Sequence, residues 1–173
     1  MLKKIAQPWG WYLLAVIVFI LDQWSKAAVV ANLDYNSPLV FTSFFNFTLL
    51  HNPGAAFSFL SDADGWQRWF FTAIAAVFSV AIIIWLARLP KSRWLESMAL
   101  GFILGGAVGN LYDRVMLGHV IDFIVVHYQD NYFPAFNLAD SAICFGAFWL
   151  IVDMLFNAKE KAADKVGKED GHA

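Results

Sequence analysis

The stretch WFFTAIAAVFSVAIIIWLA, Trp69 to Ala87, runs for nineteen residues with only Thr72 and Ser79 interrupting an apolar row. At a helical rise of ~1.5 Å per residue it reaches ~29 Å, about the thickness of a bilayer's hydrocarbon core. A membrane-spanning helix is therefore expected. Three further stretches follow the same logic: about Trp9 to Ala31, which contains Asp22 and Lys26, about Leu95 to Leu111, and about Leu138 to Phe156. The composition agrees, since 60% of the 173 residues are hydrophobic and only 15% are charged, against about 25% charged in a soluble domain. The length suits one membrane domain over residues 1–173.

The first span has the outline of a signal peptide, because Lys3 and Lys4 precede the apolar run from Trp11 to Leu21. Asp22 and Lys26 at the end of that run, and three more spans behind it, argue for a resident helix. Basic residues then set the topology. Lys3 and Lys4 precede span one, Arg88, Lys91 and Arg93 lie between spans two and three, and Lys159, Lys161, Lys165 and Lys168 follow span four. All of these fall on one side of four alternating spans, and the positive-inside rule makes that side cytoplasmic. Both termini are expected there, with a tail at 159–173, and outer segments are expected at 32–67 and 112–137.

In the first outer segment, Phe45, Phe47 and Leu49 alternate with Asn46, Thr48 and Leu50. The aromatic, β-prone stretch Phe41 to Leu50 predicts a strand pair or small sheet resting on the membrane surface. The second segment, Val120 to Phe136, reads as a short strand and an interfacial loop. Gly101, Gly105 and Gly109 recur every four residues in span three and favour close helix packing, with Gly106 off that row. Cys144, the single cysteine, reads as a small buried hydrophobe.

Charge inside a span costs at least ~2.5–3.5 kcal/mol at the bilayer centre, so each such residue needs a partner or a purpose. Asp22 and Lys26 are four apart with the acid first, the favourable order for a helical ion pair. Asn110 and Arg114 share that spacing at the outer end of span three, beside Asp113. They read either as a polar helix end or as a fixed donor cluster. Asn137 and Asp140 fit an N-cap and a first-turn acid at the start of span four, an ordinary helix-start pattern. Asp122 stands between Ile121 and Phe123 with no local partner. Asp153, near the cytoplasmic end, reads as snorkelling or paired with a tail lysine.

By this topology Asp122 and Asp140 lie on the same outer side. Two close carboxylates cannot readily both ionise and share a proton. The charged one can then take a proton from water while the neutral one donates to a scissile carbonyl. That is aspartic peptidase chemistry, with no metal or cofactor. His51, His119 and His127 lack helical metal-ligand spacing, no phosphate loop is present, and nothing suggests nucleic-acid binding.

The ordered blocks Asp22–Lys26, Asn52–Phe57, Gly105–Arg114, Val120–Phe123 and Phe133–Ser141 resemble those of the lipoprotein signal peptidases, the type II signal peptidases of bacteria. The resemblance covers roughly Leu21 to Phe156. It implies a four-helix membrane fold with a periplasmic β-cradle in the bacterial inner membrane. It implies cleavage of prolipoproteins just before a cysteine that carries diacylglycerol, and inhibition by globomycin. It maps the catalytic pair onto Asp122 and Asp140, and supporting roles onto Asn52, Gly54, Asn110, Arg114, Asn137, Asp22 and Lys26. Membrane lipid and a lipid-modified substrate are the implied partners, and a monomer is expected. The competing readings are an ion-coupled transporter, for which repeats or broken helices are wanting, and a non-catalytic scaffold.

Overall fold

The computed structural model describes residues 8–54 and 65–169, with side chains as far as Phe156. Four long helices form the body: α1 (Trp9–Asn32), α2 (Trp66–Arg88), α3 (Trp94–Met116) and α4 (Leu138–Glu169). All four are long and apolar enough to cross a membrane. In α3 61% of the spanning window is buried, against 17–22% in the others, so α3 is the central post on which the rest pack. The outer faces of α1, α2 and α4 present large apolar side chains such as Ile20, Phe78 and Phe148, the pattern of helices solvated by lipid.

The glycines of α3 explain how that packing is reached. A Cβ on Gly105 would lie 2.6 Å from the carbonyl oxygen of Ala15 on α1. The neighbouring Gly106 meets α4 instead, against the carbonyl of Ala139 and the side chain of Ile143. The row at 101, 105 and 109 thus faces α1, while Gly106 faces α4. Gly106→Ala is expected to force α3 and α4 apart and to lower stability by about 1–3 kcal/mol. Thermal unfolding in detergent would show this as a lower midpoint.

α3 runs to Met116, so Asn110, Asp113 and Arg114 are helical residues in its last two turns. At the opposite end, Arg93 donates to Glu96 Oε2 from Nε at 2.7 Å and to Asp153 Oδ2 from Nη2 at 2.6 Å. Asp153 is therefore tied to the α2–α3 connection, while the side chains of the tail lysines, the partners offered for it beside snorkelling, lie outside the described residues. α4 continues as helix through the charged tail to Glu169. Lys3 and Lys4 lie outside the described residues.

At the end away from Arg93, four strands form one antiparallel sheet in the order β1 (Leu39–Thr42), β2 (Phe45–Asn52), β3 (Val120–Tyr128) and β4 (Asn131–Tyr132). The sheet joins both inter-helix segments, since β2 pairs with β3. The β2–β3 register slips between Phe47 and Leu50, setting Leu50 opposite Asp122 and Asn52 opposite Val120. Such a bulge re-aims the side chains beyond it. Phe136 then exchanges backbone hydrogen bonds with Ile124, at 2.9 and 3.1 Å. That bridge draws the start of α4 against β3.

Candidate active site

The cluster is best built from its most costly member. Lys26 is 1% exposed, and an ammonium without partners could not stay charged there. Its three donors meet three acceptors: Asp22 Oδ2 at 2.8 Å, Asp113 Oδ2 at 2.8 Å and Asn110 Oδ1 at 3.0 Å. The helical pair expected for Asp22 and Lys26 is present, but it is half of a larger network. Asp22 Oδ1 also accepts the backbone N–H of Ala139 at 2.9 Å, so an acid of α1 caps the first turn of α4. Gln23 donates to Asp113 Oδ1 at 2.9 Å, and Asp113 Oδ2 accepts the Ile121 N–H at 3.2 Å.

Asn110 and Asn137 carry the network to the two acids. Asn110 Nδ2 donates to Asp140 Oδ1 at 2.8 Å. Asn137 is fully buried, and its Nδ2 lies 2.8 Å from Asp122 Oδ1 and 3.1 Å from Asn110 Oδ1. The Oδ1 of Asn137 accepts the Asp140 N–H at 2.9 Å, while Asp140 Oδ2 accepts the Asn137 N–H at 3.2 Å. This reciprocal arrangement is a capping box. The helix-start pattern read from the sequence is real, and it is also what fixes the Asp140 carboxyl. One residue, Asn137, thus holds both acids.

Asp122 is 2% exposed, and its second oxygen accepts Asn52 Nδ2 at 2.8 Å. Burial foremost, and then the charge of Asp140, pushes the Asp122 carboxyl up to about 7 against the pull of Asn52, Lys26 and Asn137. Asn52 is oriented in turn by the Gly54 N–H, which donates to its Oδ1 at 3.0 Å. The Gly54 carbonyl accepts Arg114 Nη2 at 3.0 Å. Ala55 to Phe57, the rest of that sequence block, lie outside the described residues.

An apolar cavity of about 310 Å³ opens beside Asp140, lined by Phe133, Ala135, Phe136, Ser141, Ile143 and Cys144. Cys144 is exposed to it, which corrects the expectation of a buried hydrophobe. Its neighbours on this face of α4 are apolar, so the sequence carries no sign that the face is open. Asp22, Lys26, Asn52, Gly54, Asn110, Arg114, Asp122, Asn137 and Asp140 all converge at the sheet end of the bundle, and Asp153 lies at the other. Asp113 joins the site as well, and its place three residues after Asn110, which puts both on one helix face, is the signal for it in the sequence.

A chain that gathers acids, amides and one lysine between four membrane helices is matched by known proteins along most of its length. The family described as signal peptidase (SPase) II matches residues 14–156, a span that holds every residue of the hydrogen-bonded cluster. The lipoprotein signal peptidase of Cellvibrio japonicus is 61% identical over 95% of this chain and 98% of its own. That of Pseudomonas aeruginosa is 53% identical over 90% of this chain and 92% of its own. A bacterial membrane enzyme structure, determined by the in meso method at 2.3 Å resolution, superposes with a TM-score of 0.80. It is 29% identical, and the match covers 93% of this chain and 96% of that one. The chain therefore belongs to the signal peptidase II family and is a multi-pass membrane protease.

Proposed function

We propose that this protein is an aspartic endopeptidase that removes the signal peptide from diacylglyceryl-modified prolipoproteins, cleaving just before the lipidated cysteine, with Asp122 and Asp140 as the catalytic pair. The observation that carries this reading is the tie between a buried acid, Asp122, and a half-buried one, Asp140, through one asparagine, at the end of a membrane bundle and beside an apolar cavity. With one proton on the pair, the charged carboxylate takes a proton from water, and the water oxygen attacks the scissile carbonyl carbon. The neutral carboxyl gives its proton to the carbonyl oxygen. Collapse then breaks the C–N bond, and the departing cysteine nitrogen takes up a proton. Asn52, Asn110 and Asn137 hold the pair in place, while Lys26 sits between the Asp22 and Asp113 carboxylates behind it. Gly54 and Arg114, hydrogen-bonded to each other beside Asn52, would meet the peptide backbone.

Lipid chains would keep the substrate in the bilayer, so that reaching the pair becomes a matter of orientation at a surface. The cavity beside Asp140 suits apolar groups of that substrate, and a globomycin-type cyclic peptide should compete for the same place. Arg88, Lys91 and Arg93 at the far end favour a cytoplasmic location for that end and for both termini. The acids then face outward, in the cytoplasmic membrane of a bacterium. The exposed Leu39, Val40, Phe41 and Phe44 of the β1–β2 hairpin suit contact with the outer leaflet.

The test is release of the signal peptide from a purified diacylglyceryl prolipoprotein, followed by gel shift. Since Asp122 holds its proton up to about 7, kcat/KM should fall as pH rises past that value, because the pair then loses its shared proton. A rate that stays level to pH 9 would count against Asp122 as a proton-holding member. Ion flux in vesicles without any cleavage would overturn the whole assignment.

A further inference from the structure

Among the described residues α2 supplies no acid or amide to the network, yet its first two turns reach Arg114 twice. Arg68 donates from Nε to the Arg114 carbonyl at 2.8 Å and from Nη2 to the Val115 carbonyl at 3.0 Å. Both acceptors belong to the last turn of α3, where carbonyls have no partner within the helix. Phe71, one turn further along α2, lies against the Arg114 guanidinium, with its ring centroid 5.8 Å from Cζ. The turn after α3 is shaped around this contact. Gly118 has φ +86, and a Cβ there would lie 3.2 Å from Arg68 Nη1.

Arg114 is 7% exposed. Its Nη2 donates to Gly54 and its Nη1 to the Asn110 carbonyl at 3.3 Å, but its buried Nε has no hydrogen-bond partner among the described residues. A buried donor left unpaired is costly and rare. Here it sits next to Gly54 and Asn52, beside the acid pair.

We propose that Arg68 and Phe71 are a positioning pair on α2 that fixes Arg114 so that its unpartnered Nε donates to a backbone carbonyl of the bound peptide. Arg68 sets the backbone from which the side chain springs, and Phe71 restrains the plane of the guanidinium. Loss of either leaves the charge of Arg114 in place but spoils its direction. The inference rests on the reading of this cluster as a peptidase site.

The experiment compares the purified full chain with Arg68→Gln, Arg68→Lys, Phe71→Leu, Arg114→Lys, Arg68→Gln/Arg114→Lys and Asp122→Asn on a diacylglyceryl prolipoprotein. KM, kcat and the thermal midpoint are measured for each. A donor made equally to bound substrate and transition state acts on KM alone, so Arg68→Gln and Phe71→Leu should raise KM about tenfold with kcat within about twofold. Arg68→Lys, which keeps a donor for one carbonyl, should recover part of that loss. In the Arg114→Lys background, Arg68→Gln should add nothing further, because the directed donor is already gone. The proposal is overturned if KM stays within about twofold of the parent in both α2 variants, or if kcat alone falls, which marks loss of folded enzyme. It is equally overturned if the two arginine substitutions multiply. Should Arg68→Gln fail to fold, Phe71→Leu carries the same test. Asp122→Asn separates the levels: normal cleavage by it sinks the peptidase-site reading, whereas its inactivity beside unaltered α2 variants sinks only the role of α2.

Discussion

Asp122→Asn is expected to slow prolipoprotein cleavage by at least about 10³-fold, while the variant stays folded and gains on the parent in heat stability as pH rises. The kinetic part follows from the loss of a group that must hold and release a proton. The stability part follows from burial. The Asp122 carboxyl is pushed up to about 7 in the folded protein, against about 3.9 in an unfolded chain. The folded state thus binds this proton more tightly, so the parent is most stable below about pH 4. It loses stability as pH climbs to about 7, by on the order of a few kcal/mol. Asparagine carries no such penalty. It does turn an NH2 toward one of the two amide donors, Asn52 or Asn137, at a cost of about 1–3 kcal/mol. The difference in thermal midpoint between variant and parent should therefore move in the variant's favour from pH 5 to pH 8. Asp140→Asn should be as inactive, and the double variant no worse than either single one, since the acids act as a unit. A single variant that cleaves at the parent's rate would remove the pair from the chemistry.

The second large effect is structural. Lys26→Met should destabilise the protein by about 3–5 kcal/mol, because it strands buried carboxylates without their cation. Asp22 and Asp113, 0% and 1% exposed, both lie 2.8 Å from the ammonium. Adding Asp22→Asn to Lys26→Met should restore part of the loss, which a simple packing defect would not allow. Lys26 also helps to hold the Asp122 carboxyl down. In any Lys26→Met protein that remains folded, the alkaline fall in activity should shift to higher pH. A thermal midpoint within a degree or two of the parent would show that the cation is not what keeps these acids buried.

Much of this was readable from residues alone, and the limits have physical causes. Uninterrupted apolar runs declare membrane helices, and charges set within them declare a site, because lipid penalises both broken backbone and unpaired charge. The alternation in Phe41 to Leu50 announced strands, but not that β2 would pair with β3 from the other segment. Pleat alternation says which face is apolar and nothing about a distant partner. Asn137 and Asp140 fitted two readings because both hold at once: the capping box that starts α4 also presents the acid. Arg68 and Phe71 are not legible in sequence, because their partners are two backbone carbonyls and the side of a guanidinium, none of which leaves a mark in spacing. Spacing offers Asp153 only the lysines near it in sequence, and Arg93, sixty residues away, is near it only in space.

The hydrogen bond from the Ala139 N–H to Asp22 spans 117 residues and links the first helix to the last. On the catalytic pair proposed above, it ties proteolytic competence to the arrival of α4. A nascent chain that has inserted three helices contains Asp122 but lacks Asp140, Asn137 and the amide that Asp22 caps. Until α4 enters the bilayer, the partly made protein has no second acid and no asparagine to align one. On the proposed catalytic pair, chains truncated before α4 should cleave nothing.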